Sequence, residues 1–281
     1  MADSPAATLK MGGKSALWRR WAYRAFDGWF FVRRCRTPDG VFDTYVSPGC
    51  QLNTLDPRGL TIDPVHQRFI ERWVKPSDVI WDVGGNMGLF AFPAALRART
   101  GRVYVFEPDL DLARYLERSA RRSLNADLAF TVISTALSDA DGAAEFLIAR
   151  YGRSMNKLYG VGDWHEEIFS ASDRRTVPTL RIDTLARVFE KPTIIKIDEE
   201  GGEMKVLAGA RETIKVARPI ILIEGPRELW DEMKAYFSDL DYIFMDGQAT
   251  HCAPIEMPVW DTIALPCELW DRQSQGSSEG P

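Results

Sequence analysis

Acidic residues recur in this chain where short apolar runs stop. Asp82 sits near the end of the run from Val79, Glu107 follows Arg102 to Phe106, Asp198 and Glu200 follow Thr193 to Ile197, and Glu224 follows Pro219 to Ile223. Each run has the length and composition of a buried strand. Carboxylates at the ends of several parallel strands would converge on one crevice. The stretch DVIWDVGGNMGLF, Asp78 to Phe90, adds a turn of Gly84, Gly85, Asn86 and Gly88 between a strand and a helix. Glycines there let the backbone approach a nucleotide-like ligand, and the helix N-terminus adds unpaired N–H groups. Asp82, at the last inward position of its strand, would face a cation or hydroxyls. A plain strand-to-helix turn would use the same glycines, so the loop alone names no ligand.

Spacing narrows the choice. The loop reads GGNMG rather than GxGxxG, a poor match to a dinucleotide pyrophosphate site. Glu107 lies about 20 to 25 residues beyond the loop, the distance at which an acid takes the hydroxyls of a ribose. Its two acceptor oxygens suit a vicinal diol. A ribose without a pyrophosphate points toward S-adenosylmethionine (SAM), whose sulfonium and amino-acid tail suit carboxylates and backbone donors. Methyl transfer to a hydroxyl needs alignment, exclusion of water and a place for the proton. Asp198, Glu200 and Glu203 stand at the strand end suited to that work, with Lys196 and Glu224 behind them. Glu203 is equally explained as a first-turn helix acid. His66 and His165 are the other candidate bases. Crowded carboxylates would raise one another's pKa and leave a divalent metal open, although no metal ligands are assigned.

These residues need a frame. Strand and helix alternate at least five times from Pro64 onward, which predicts a doubly wound, mostly parallel α/β sheet of seven strands, Rossmann-like, with helices on both faces. The strands fall near 79–83, 102–106, 130–133, 193–197, 219–223, 242–245 and 261–265, with a further strand pair at Ala144–Ala149 and Thr176–Leu180. Between that pair lies a long insertion, Arg150 to Arg175, read as a substrate-facing loop in which Met155, Asn156, Trp164 and His165 would shape the acceptor pocket. The helix after the glycine loop, drawn from Leu89 to Arg99, contains Pro93 and would start later than drawn. The next helix would close at Asn125.

Ahead of Asp63 the pattern differs, and residues 1–62 are read as an appendage, 63–271 as the catalytic-type domain and 272–281 as a disordered tail. From Lys10 to Arg36, Lys and Arg interleave with Trp and Phe that fall at helical spacing from Ser15 onward, which predicts a basic aromatic helix either packed on its own domain or able to make a weak contact with a membrane surface. A hairpin is predicted from Val41–Val46 and Cys50–Leu55. A net charge of −5 over 281 residues gives no general reason to expect nucleic acid as a partner. Four scattered cysteines form no CxxC pair, and no signal peptide or membrane span is visible, so a cytoplasmic protein with reduced thiols is expected. Oligomeric state leaves no mark.

Several stretches together resemble the FkbM-type family of SAM-dependent methyltransferases: WDVGGNMG (Trp81 to Gly88), VYVFEPD (Val103 to Asp109), ALSDADG (Ala136 to Gly142), TLRIDTL (Thr179 to Leu185), IIKIDEEGGEMKVLAGA (Ile194 to Ala210) and RPIILIEG (Arg218 to Gly225). The resemblance implies the class I methyltransferase fold. It also implies that Asp82, Gly84, Asn86 and Gly88, with Gly85 in the same loop, hold the methionine part of SAM, that Glu107 takes the ribose and that residues near Ala136 lie by the adenine. Two positions depart from the pattern: Gly85 replaces a more usual alanine, and Glu199 stands where an apolar residue such as valine is common. The family implies O-methylation, here of a sugar, glycan or secondary-metabolite hydroxyl; Glu224, at its own strand end, is read as an acceptor-side residue. Methylation of protein or RNA, or a non-catalytic adaptor using the N-terminal segment, are the rival readings.

Overall fold

The computed structural model describes residues 23, 25, 26, 28–149, 155–160, 174–251 and 253–276. The described chain opens with an antiparallel hairpin, β1 (Phe31–Thr37) and β2 (Gly40–Val46), in register Thr37 with Gly40. This corrects two expectations. Phe31 to Arg36 is strand rather than the end of the basic aromatic helix, and the hairpin partner of β2 precedes it; Leu52–Leu55 is a short 3-10 turn. Thr37-Pro38-Asp39-Gly40 is itself the hairpin turn, and Cys35 alternates inward from flanking arginines, a period of two that the aromatic residues upstream obscure. Most of the expected basic helix ahead of it lies outside the described residues.

Next comes α1 (Pro64–Trp73), started by Asp63, whose side chain accepts from the Val65 amide at 2.7 Å, with proline in the first turn. Then follow β3 (Val79–Val83), α2 (Ala91–Arg97), β4 (Arg102–Phe106), α3 (Leu110–Ala120) and β5 (Phe130–Ile133). Pro93 falls in the first turn of α2, where its missing N–H has no helical partner to lose. α3 ends at Ala120, short of Asn125. Asn125 instead bridges to β2, donating to the Asp43 carbonyl at 2.7 Å.

A small second sheet, ordered β6-β9-β7-β8, is built from β6 (Ala136–Leu137), β7 (Gly142–Leu147), β8 (Lys157–Leu158) and β9 (Arg174–Leu180). Part of the long insertion is thus strand, and residues 150–154 and 161–173, His165 and Trp164 among them, lie outside the described residues. The main sheet resumes with α4 (Ile182–Leu185), β10 (Ile194–Ile197), α5 (Glu203–Ala208), α6 (Arg211–Ala217), β11 (Ile220–Glu224), α7 (Trp230–Phe237), β12 (Tyr242–Asp246), β13 (Pro254–Ile255) and β14 (Asp261–Pro266). Its order is β13-β12-β14-β11-β10-β3-β4-β5, with β14 antiparallel between β11 and β12. The seven expected strands form this Rossmann-like sheet, and two-residue β13 extends its edge. The C-terminal helix α8 (Cys267–Gly276) continues into the tail expected to be disordered, because Leu269 and Trp270 pack on the core and Glu268 pairs with Arg218.

Strand alternation divides the interior into two layers. Ile80, Val103, Val105, Ile194 and Leu222 face α1, α2, α3 and the hairpin, while Trp81, Val83, Ile195, Ile197 and Ile221 face α5, α6 and α7. Asp82 and Lys196, directly paired in the β3–β10 register, follow Ile80 and Ile194 onto the first face. Phe42 of β2 is fully buried in that layer and stacks on Phe92 with ring centroids 5.4 Å apart. Phe42→Ala is expected to cost about 3 to 5 kcal/mol in urea unfolding while keeping a single transition; two transitions would show that the hairpin folds apart from the sheet.

Candidate active site

The glycine loop is tied to β4 by its own amides. Gly84 and Gly85 both donate to the Phe106 carbonyl, at 3.0 and 3.2 Å. Gly84 has φ +78°, and a β-carbon there would stand 2.0 Å from the Asp198 carbonyl oxygen, so glycine is required on both counts. At Gly85 a β-carbon would stand 2.0 Å from Val105 Cγ1; the departure from alanine is matched by valine on the neighbouring strand. Asn86 is left-handed at φ +47°, a conformation asparagine tolerates. That turn aims its amide at Glu107 Oε2, 2.8 Å away, and the Asp109 amide donates to Glu107 Oε1 at 2.8 Å. Burial, with the nearby charge of Asp109, pushes the Glu107 carboxyl up to about 8 despite these two donors.

Across the crevice, the turn after β10 gathers charge. Lys196 Nζ lies 3.0 Å from Asp198 Oδ2 and 3.7 Å from Asp82 Oδ1, and all but a few per cent of the lysine side chain is buried. Burial works against that ammonium, but Asp198, Asp82 and Glu224 outweigh it and hold its pKa above the ordinary lysine value. Asp82 is fully buried, neither carboxylate oxygen has a hydrogen-bond partner among the described residues, and burial raises its pKa. Burial and the charge of Glu224 raise Asp198, against the attraction of Lys196. Glu200, left-handed at φ +48°, is raised to about 8 by burial and by Asp198 and Glu203.

Glu203 differs from its neighbours in role. Its Oε1 accepts from the amides of Glu199 (3.2 Å) and Gly201 (3.0 Å), so it holds the turn that carries Asp198 and Glu200. Those two bonds give Glu203 a positioning part in the turn. His66, from α1, completes this end of the sheet: its Nε2 is 2.7 Å from Glu224 Oε1. That hydrogen bond, with the charges of His66 and Lys196, brings Glu224 down to about 2 although burial opposes it.

An open crevice runs between loop and turn, lined among others by Gly84, Asn86, Glu107, Asn156, Asp198 and Glu200. Asp82 and Glu203 are buried and, like Glu224 and His66, are not among its lining residues. Asn156 is fixed in the wall, accepting from the Ala149 amide at 2.8 Å and donating to Asp109 Oδ2 at 2.9 Å. Met155 is buried. Ala136 itself is fully buried in β6, packed with Phe146, Leu158 and Val177. Asp109 was absent from the candidates. Its only sequence signal is its place as N-cap of α3, two residues after Glu107, where it accepts from the Asp111 amide. Among the described residues, no three His, Cys, Asp or Glu side chains gather as a metal site.

The family model of the methyltransferase FkbM domain matches residues 82–244, from the glycine loop through β12. The chain belongs to the FkbM methyltransferase family. Hexuronic acid methyltransferase AglP of Haloferax volcanii is 27% identical over 157 residues, 55% of this chain and 59% of that protein. AMB antimetabolite synthetase AmbE of Pseudomonas aeruginosa is 28% identical over 201 residues, 59% of this chain and 9% of the synthetase. The match therefore spans less than two thirds of either relative. A solved FkbM methyltransferase from Methylobacillus flagellatus, 21% identical, aligns with a TM-score of 0.48 over 72% of this chain and 48% of its own. Within the FkbM domain the acids at the ends of β3, β4, β10 and β11 all fall inside the matched region, whereas His66 and the hairpin precede it.

Glu203→Ala strands two amides of the turn and is expected to cost about 2 kcal/mol in urea unfolding. Glu203→Gln retains an acceptor oxygen and should lose less than half of that; equal losses would remove the capping role.

Proposed function

We propose that this FkbM-family chain transfers a methyl group from SAM to a hydroxyl of a sugar or glycan, with hexuronic acids the first acceptors to try. The observation that carries the donor assignment is Glu107. Each of its oxygens takes one backbone N–H, and a carboxylate retains further acceptor sites for the two hydroxyls of a ribose. The rest of the crevice fits the same ligand. Gly84 leaves room for close backbone approach, and the Asn86 Oδ1, without a hydrogen-bond partner among the described residues, suits a cationic amino-acid tail. The acceptor class rests on the similarity to the hexuronic acid methyltransferase.

SAM, when bound, supplies a methyl group on a sulfonium, open to attack by an oxygen nucleophile. The chain's own residues do the remaining work. Glu107 and the loop from Gly84 to Gly88 fix the donor's orientation, which is where most of an enzyme's advantage in such a displacement arises. Asp198 takes the acceptor's hydroxyl proton at Oδ1, while Lys196 holds Oδ2 and so sets the carboxylate's plane. Its raised pKa makes it a stronger base than an exposed aspartate. Asn156 and the rest of the second sheet's edge close one side of the crevice against water.

The direct test is incubation of the protein with methyl-labelled SAM and a panel of hexuronic-acid-containing and neutral saccharides, with identification of the labelled product. Label in protein or RNA, with none in saccharides, sinks the acceptor assignment. Asp198→Asn should lower turnover by about 10² to 10⁴-fold with donor affinity retained; full turnover in that variant removes Asp198 from the chemistry. Glu107 is protonated below its folded pKa, near 8, and a neutral carboxyl is the weaker acceptor for a diol. Donor affinity measured by calorimetry should therefore rise from about pH 6 to about pH 9. Glu107→Gln should flatten that rise at a weaker affinity.

A further inference from the structure

Glu199 is the crevice residue that the family pattern explains least, since an apolar side chain is common at its position. Its backbone is fully employed: the amide donates to Glu203 Oε1 and the carbonyl accepts from the Gly202 amide at 3.2 Å. Its side chain is not. The residue is only 7% exposed, it lines the crevice, and Oε1 has no hydrogen-bond partner among the described residues. A β-carbon on Gly84 would lie 3.8 Å from that oxygen, which places it against the first glycine of the donor loop. Burying such a group without a partner is costly, so a valine there would be the more stable choice unless a ligand completes the site.

The surroundings specify the charge of that ligand. Burial above all, and then the charges of Glu107 from β4, Glu203 from α5 and Asp198 from β10, push the Glu199 carboxyl well above its ordinary range. The opposing cation is Lys196, whose ammonium is already engaged by Asp198 and Asp82. We infer that Glu199 binds the positively charged end of the methyl donor, its Oε1 taking the ammonium or the sulfonium of SAM beside Gly84. This assignment rests on the proposed use of SAM and makes Glu199 a determinant of selectivity for charged over neutral thioether nucleosides. A cation seated there would offset the crowding of Glu199 with Glu107, Glu203 and Asp198, and a charge-assisted contact of this kind is among the stronger polar interactions.

The test is calorimetric titration of the full chain and of Glu199→Gln with SAM, S-adenosylhomocysteine and 5′-methylthioadenosine. These ligands carry two organic cations, the ammonium alone and neither. In Glu199→Gln, SAM affinity is expected to fall about tenfold or more, while 5′-methylthioadenosine changes by less than about twofold. A matching loss for S-adenosylhomocysteine assigns the ammonium; a loss confined to SAM assigns the sulfonium. Glu199→Val should show the same selectivity without an amide to substitute for the acid. Unchanged SAM affinity in both variants, or an equal loss for 5′-methylthioadenosine, overturns the inference and leaves the SAM reading standing. Failure of the unaltered protein to bind SAM or S-adenosylhomocysteine would overturn both.

Discussion

A single buried ammonium, Lys196 Nζ, joins the strand that opens the donor loop to the strand that carries the acidic turn. Parallel pairing sets Lys196 directly beside Asp82, and the lysine reaches up to Asp198 two residues further on. Burial of one carboxylate without a counter-charge would force it to take up a proton. Burial of the lysine alone would force it to lose one. Together they form a charged core element that exists only when β3 and β10 are in register, because a one-residue slip would send one partner to the opposite face. The geometry of the crevice follows from that register: Gly84 meets the Asp198 carbonyl at a distance no side chain would allow.

His66 and Glu224 extend the arrangement along the sheet. The pair sits at the end of β11, within electrostatic reach of Lys196, so five ionisable groups from α1, β3, β10 and β11 share one low-dielectric region. Burial raises Asp198 and Asp82 in spite of the lysine they share, whereas at Glu224 the hydrogen bond and charge of His66, with the charge of Lys196, outweigh burial and hold the carboxyl low. Proton position in this group is collective, and a change at any member redistributes it.

Much of this was legible in the residues. Runs such as IIKI and IILIE fall where periodicity and glycine breaks place strands, and the acids at their ends meet because parallel strands share a direction. The hairpin was misread because FVRRCRT alternates in burial while its composition continues a basic aromatic pattern that also suits a helix. The neighbourhood of Ala136 is marked by resemblance alone, with no signal of its own, and Ala136 is packed inside the second sheet. Roles that depend on backbone contact were hidden altogether. Nothing in the letters separates Glu203, which holds amides, from Glu200 nearby, and Asp109 shows its part only when Asn156, just ahead of β8, folds across to it.

Gly85 and Val105 occupy one volume. The alanine usual at the first position has its methyl replaced here by a valine branch reaching in from β4, so the loop keeps its path while the filling atoms come from another segment. Two sites about twenty residues apart therefore behave as one unit of inheritance: enlarging Gly85 is tolerated only together with a reduction at Val105. Among relatives these columns should drift as a correlated pair, and a chimera that takes its loop from one member and its β4 from another would inherit either a gap or a collision under the donor site.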